Sequence, residues 1–234
     1  DLCVPFVKYM ISNELPRGSS ETTLFNVPSV ASSLCAAACQ MTGDEYLNLT
    51  LRPLVDQICS GEADFEVDMQ HITAEESYEV NLDNLTKAVQ WFLDTVIISI
   101  GDVPPLLRTI ATHVYNLLGE KRRPEAQKVV GCFFLKNYIC PAVRSPHLFH
   151  LTSRSVDERS GRALAVIGSA MQYAFFGEDD SGFPVAVKQV TLQYHDRLVE
   201  MIENLGTATA SASESSLAEV EMAVDEEEDV LALR

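Results

Sequence analysis

Apolar residues recur at steps of three and four along most of the 234-residue chain, a period that suits helices and not strands. The clearest run is Val187, Val190, Tyr194, Leu198, Met201 and Leu205, with Lys188, Gln189, Asp196, Arg197 and Glu200 on the opposite face. This spacing predicts one amphipathic helix. Leu82, Leu85, Val89, Phe92, Val96 and Ile100 repeat the pattern, as do Leu106, Ile110, Val114 and Leu117 behind a start marked by Asp102 and Pro104-Pro105. Further helices are expected near residues 4–14, 29–42, 44–60, 124–139 and 160–175, with Gly43, Gly61, Gly119 and the stretch 177–184 as breaks. Strand-like alternation is confined to residues 63–71, too short and isolated for a sheet. The fold class expected is all-α, one multi-helix domain of about eight helices without a solenoid repeat.

An apolar content of 47% is enough for one sizeable core, assigned to residues 1–205. Residues 206–234 turn to Ala, Ser, Thr and Glu and carry the run Asp225–Asp229, the composition of an acidic disordered tail or linker. The sequence starts at Asp1 and enters an apolar pattern almost at once, so it reads as part of a larger protein with other domains. No apolar run approaches the roughly 18–20 residues of a membrane span, and no signal peptide precedes the first helix. Six cysteines without a tight framework suit free thiols in the cytoplasm. Asn48-Leu49-Thr50 and Asn84-Leu85-Thr86 match a glycosylation pattern but fall inside expected helices.

The net charge of -17 is unevenly placed: residues 107–162 hold ten Lys/Arg against four Asp/Glu, residues 44–102 thirteen acids and two bases. No nucleic-acid partner is expected, because the largest basic cluster, Lys121-Arg122-Arg123, is short and reads as a solvated inter-helix turn. Cys35 and Cys39 share a helical face, yet a closed zinc site needs four ligands and Ala36-Ala37-Ala38 between them suggests close packing. His147 and His150 read as surface or packing residues, and Glu75-Glu76 as acids at a helix start. Neither a phosphate-cradling glycine loop nor a nucleophile elbow is present, so the residues alone point to no enzyme site, metal or cofactor.

Two segments carry more information. Thr23-Leu24-Phe25-Asn26-Val27-Pro28-Ser29-Val30-Ala31-Ser32, followed by Gly43-Asp44-Glu45-Tyr46-Leu47 and Thr50-Leu51-Arg52-Pro53-Leu54, resembles the pattern Leu-Phe-Arg-x-x-Ser-Leu-Ala of Ras GTPase-activating (RasGAP) domains, the family that includes neurofibromin. Phe134-Leu135-Lys136-Asn137-Tyr138-Ile139-Cys140-Pro141-Ala142-Val143-Arg144-Ser145-Pro146 is similar to that family's Phe-Leu-Arg-Phe-Ile-Asn-Pro-Ala-x-x-Ser-Pro. Phe65-Glu66-Val67-Asp68 and Pro104-Pro105-Leu106-Leu107-Arg108 also look like family landmarks, so the resemblance runs from about Thr22 to Leu205.

The resemblance implies an all-helical fold and a partner, the GTP-bound form of a Ras-family GTPase. In the family the Arg after Leu-Phe enters the GTPase site and neutralises charge on the transferring phosphoryl group; that position is Asn26 here. A neutral amide forfeits a contribution of about 10³–10⁵ in rate, about 4–7 kcal/mol of barrier. The Arg that braces the finger loop is also replaced. Aligning on Pro141-Ala142 puts Asn137 there, and aligning on Phe134-Leu135 puts Lys136 there with one extra residue. Lys lacks the planar five-donor fork of Arg. The family's Asn before Pro-Ala is Cys140, and Val27-Pro28 stiffens the loop in its own way.

Expected GTPase-contacting residues are Leu24, Phe25, Ser29, Lys136, Asn137, Pro141, Ala142, Arg144, Pro146, Arg159 and Arg162, with Arg154 a further basic candidate. A regulator with weak or absent GTPase activation is the leading expectation. Two alternatives stay open: an activator in which Asn26 orients the attacking water, and a helical scaffold for other proteins.

Overall fold

A computed structural model describes residues 3–15, 25, 29–74, 77–177 and 182–207. It is helical throughout, with no strand among the described residues, as the apolar period requires. In chain order the α-helices are α1 (Cys3–Glu14), α2 (Val30–Thr42), α3 (Asp44–Thr50), α4 (Arg52–Ile58), α5 (Tyr78–Ile98), α6 (Pro105–Leu118), α7 (Arg123–Gly131), α8 (Cys140–Arg144), α9 (Glu158–Phe176), α10 (Val185–Leu192) and α11 (His195–Thr207). A π-helical stretch, Cys132–Ile139, joins α7 to α8.

The local signals act where expected. Pro105 occupies the first turn of α6, where its missing N–H is not needed, and Gly119 ends that helix at φ 67. Asp157 caps α9, its side chain accepting from the Ser160 amide at 2.7 Å, and Gly177 closes it in the left-handed region. The core is built from one stripe of each long helix: Leu85, Val89, Phe92 and Val96 of α5, Leu107, Ile110 and Val114 of α6, Leu164, Ile167 and Met171 of α9, and Leu198, Ile202 and Leu205 of α11, all buried. Each contributes about 1.5–3 kcal/mol by leaving water. Helices α6 and α11 pack tightly at Gly206, where an added Cβ meets the Tyr115 ring at 2.0 Å.

Two expected helices are divided. The span 44–60 breaks at Leu51 between α3 and α4, because Pro53 has no N–H to continue the ladder of α3. The run 187–205 breaks at Gln193 and Tyr194, where the Tyr194 hydroxyl bonds Asp94 of α5 at 3.0 Å and Arg197 joins the same carboxylate at 2.8 Å. These breaks and the short turns raise the element number above eight. Lys121-Arg122-Arg123 is not a solvated turn: Arg122 pairs with Glu125, and Arg123 with Glu120 and with Glu203 of α11. Helix α11 continues to Thr207, two residues past the expected domain end, and residues 208–234 lie outside the described residues.

Candidate functional site

The two signature segments meet at Phe25. Its backbone lies at φ 65, a conformation that costs an L-residue with a bulky side chain about 1–2 kcal/mol. Two contacts hold it there. The ring is buried against Phe133, centroids 5.4 Å apart, and the carbonyl accepts a hydrogen bond from the Asn137 amide nitrogen at 2.8 Å. Leu24 and Asn26, on either side, lie outside the described residues.

Downstream, Ser29 caps α2. Its hydroxyl accepts from the Ser32 amide at 3.1 Å while the Ser32 hydroxyl accepts from the Ser29 amide at 2.7 Å, a reciprocal box with serine in place of the usual glutamate. Glu14, at the end of α1, adds a carboxylate oxygen that accepts from the Ala31 amide at 2.9 Å. The last turn of α1 is thereby tied to the first turn of α2, bracketing residues 16–28. Sequence reading missed Glu14, whose partner is a backbone group 17 positions away.

Asn137 reaches Phe25 from a π-helical turn. Such a turn closes its hydrogen bond one residue later than an α-turn, so it absorbs one extra residue, and π-bulges recur at functional sites. The extra residue in the comparison with Phe-Leu-Arg-Phe-Ile therefore has a physical place, and it is Asn137 whose side chain meets the Phe25 carbonyl. Lys136 is half-buried beside it. Tyr138, next in sequence, donates to the Gly43 carbonyl at 2.8 Å, at the junction of α2 and α3. That junction admits no side chain: a Cβ on Gly43 would meet the Tyr138 hydroxyl at 2.0 Å.

Pro141 and Ala142 begin α8, Ala142 buried and Pro141 half-buried, and Pro146 is buried at the start of the turn 146–149. Arg144 turns inward onto α9, donating to the Gln172 side chain at 3.0 Å and the Gly168 carbonyl at 3.3 Å. Gly168 makes room for it, since a Cβ there would lie 2.6 Å from the Arg144 Cγ. Arg159 pairs with Asp64 at 3.3 Å, and Arg162 with Glu66 at 2.7 Å, whose side chain is only 4% exposed. Asn81 and Asn84 of α5 hold the segment 64–66 by donating to the Glu66 and Asp64 carbonyls, each at 3.0 Å. The basic residues expected to face a partner are thus largely compensated within the chain; Arg154 is exposed.

The Cys140 thiol and Tyr138 phenol of this segment are held in their neutral forms. Burial pushes the Cys140 thiol up to about 12 and raises the Tyr138 phenol, so both stay protonated. Cys35 is likewise pushed up to about 12 by burial and Cys39 is raised, as befits packing residues. Among the described residues no cluster of His, Cys, Asp and Glu is placed to hold a metal ion.

The loop stem at Phe25 is thus pinned by a side chain from a π-helical turn. Residues 68–175 match the RasGAP family model, described as GTPase-activator protein for Ras-like GTPase. The RasGAP match takes in α5 to α9 and the π-helical stretch and begins downstream of Phe25. The chain is 27% identical over 176 residues to the "Ras GTPase-activating protein 3" of Bos taurus, covering 72% of this chain and 21% of that protein. It is 28% identical over 171 residues to the "GTPase-activating protein" of Drosophila melanogaster, covering 72% and 15% respectively. With the human "RasGAP-activating-like protein 1" the identity is 24% over 188 residues, covering 71% and 23%. The chain spans 15–23% of the length of these relatives. No described helix is long and apolar enough to cross a membrane.

Proposed function

We propose that this chain regulates a Ras-like GTPase by docking its GTP-bound form against the face built from residues 24–29 and 136–146, with weak or no stimulation of hydrolysis. The observation that carries the reading is the hydrogen bond from Asn137 to the Phe25 carbonyl, which supports the loop stem as the family's bracing arginine would. The amide makes one directed bond where a guanidinium fork offers five donors, so the stem is held and no positive charge is added to the site. Asn26, the next residue, is likewise neutral. A GTPase docked here keeps its own slow rate because the finger position, Asn26, brings no guanidinium to offset charge on the phosphoryl group. The RasGAP relatives are several times longer, which supports a parent protein with further domains, and the free cysteines among the described residues support a reducing compartment such as the cytoplasm.

A second reading, a scaffold that has lost GTPase contact, draws support from Arg159 and Arg162 being paired with Asp64 and Glu66. Single-turnover hydrolysis by a panel of GTP-loaded Ras-like GTPases separates the readings. Binding without acceleration by the native chain, and acceleration after Asn26→Arg, is the expected result. Acceleration approaching the about 10³–10⁵ of a true finger by the native chain refutes the weak-activator reading. Failure of every GTPase to bind at low salt with a transition-state mimic leaves the scaffold.

A further inference from the structure

On the far side of the Gly43 junction, α3, the end of α5 and the turn leading into α6 enclose an open cavity of about 690 Å³. Its size is that of a site for one or two side chains or a drug-sized molecule. Leu49 and Ile98 stand at its mouth, 74% and 77% exposed, and Met41 on the adjoining turn of α2 is 79% exposed. Two large aliphatic side chains left in water on the lining of one concavity, with a third exposed nearby in sequence, form an apolar surface of the kind that marks interaction sites.

The floor is polar and settled: the Tyr46 hydroxyl and the Ser99 hydroxyl bond each other at 2.8 Å, with burial pushing the phenol up to about 12 so that it remains neutral. The lining also carries two exposed carboxylates, Glu45 and Asp102, and neither makes an ion pair among the described residues. No lysine or arginine is among the lining residues; the nearest cation, Arg108, is turned onto the Val103 and Ile100 carbonyls. An anionic or purely apolar occupant leaves those carboxylates repelled or dehydrated without a partner. An occupant with an apolar side chain beside a cation satisfies both.

We propose that this cavity is a docking site for a basic amphipathic peptide segment of a partner protein, which seats a Leu-, Ile-, Met- or Phe-type side chain between Leu49 and Ile98 and pairs a flanking Lys or Arg with Glu45 and Asp102. The site shares no residue with the face around Phe25, so it stands whether or not a GTPase docks there. Charge selects the partner's sign and speeds encounter, and the apolar side chain supplies most of the affinity.

The test is selection of displayed random heptapeptides on the full 234-residue chain, counter-selected on the Leu49→Ser/Ile98→Ser variant, which alters only exposed side chains and is checked for an unchanged Tm. The expected consensus joins a large apolar residue to one or more Lys or Arg. Synthetic peptides of that consensus bind about tenfold more weakly to Leu49→Ser, about threefold more weakly to Glu45→Gln or Asp102→Asn, and more weakly as salt is raised. Peptides that survive counter-selection unchanged, a neutral or acidic consensus, indifference to the two carboxylate variants, or no enrichment over the counter-selection target each overturn the proposal.

Discussion

Replacing Asn137 by Asp changes one hydrogen-bond donor into an acceptor and leaves the side chain's shape alone. At the 2.8 Å separation from the Phe25 carbonyl, an attraction becomes lone pair against lone pair. The lost bond is worth about 0.5–1.5 kcal/mol net, and a carbonyl left without a partner in a dry site adds about 1–3 kcal/mol. Asn137 is exposed, so water reaches both oxygens and the sum falls to about 1–2 kcal/mol. The loss falls on a residue already held at φ 65 against its own preference, so it is expressed as opening of that stem. Amide hydrogen exchange followed by mass spectrometry reads it directly: peptides containing Phe25 and the first turn of α2 exchange about 5–30-fold faster, while α9 and α11 are unchanged. Unaltered exchange at Phe25 refutes the bracing role. Uniform acceleration across α9 and α11 shows instead that Asn137 supports the core.

Other outcomes follow from the same coordinates. Gly43→Ala drives a Cβ into the Tyr138 hydroxyl at 2.0 Å and the Cys39 carbonyl at 2.5 Å, and destabilises by about 1–3 kcal/mol in urea unfolding, whereas Gly101→Ala, with nothing within 4 Å, does not. Arg162→Ala strands the Glu66 carboxylate, 4% exposed, and costs about 2–3 kcal/mol, less than a fully buried pair because Arg162 is a third exposed; adding Glu66→Gln recovers part of it. His113, whose Nε2 lies 3.0 Å from the Lys8 carbonyl and 3.0 Å from the Ser12 hydroxyl, has its pKa lowered from 6.5 by burial and then by the Lys8 charge. The unfolded chain therefore takes up a proton first as pH falls, so stability drops below about pH 6.5 and down to the folded value, and His113→Gln abolishes that slope in pH-dependent thermal unfolding.

The helices were legible because each carries its own apolar stripe, and Pro105 and Gly119 mark ends by local chemistry that needs no tertiary knowledge, whereas the Asp157 cap was missed and α9 starts at Glu158, two residues before the expected start. The break before Pro53 was missed, although its cause is local: a proline in the first turn of a new helix cannot continue the ladder of the preceding one. The break at Gln193-Tyr194 was missed as well, and the partner met there by the Tyr194 hydroxyl is an aspartate 100 positions upstream. The same distance in sequence hid the partners of Arg162 and Asn137, 96 and 112 positions away. Basic residues at 144, 159 and 162 looked available because charge can be read from one residue, whereas compensation needs two. The uncertainty between Lys136 and Asn137 was itself a signal: two registers differing by one residue are what a π-turn leaves in a sequence.

That wide turn also works as a spacer of rotation. Each residue of an ordinary helix advances the next side chain by about 100°. Excising one residue between Cys132 and Ile139 to restore regular pitch would swing the segment before the cut about a quarter-turn relative to the segment after it, carrying Asn137 away from the Phe25 carbonyl or tearing Pro141 and Ala142 from their seat. Which side chain meets the loop is decided by a single inserted residue, so this contact is open to change by insertion or deletion, as well as by substitution, without any loss of the helices around it.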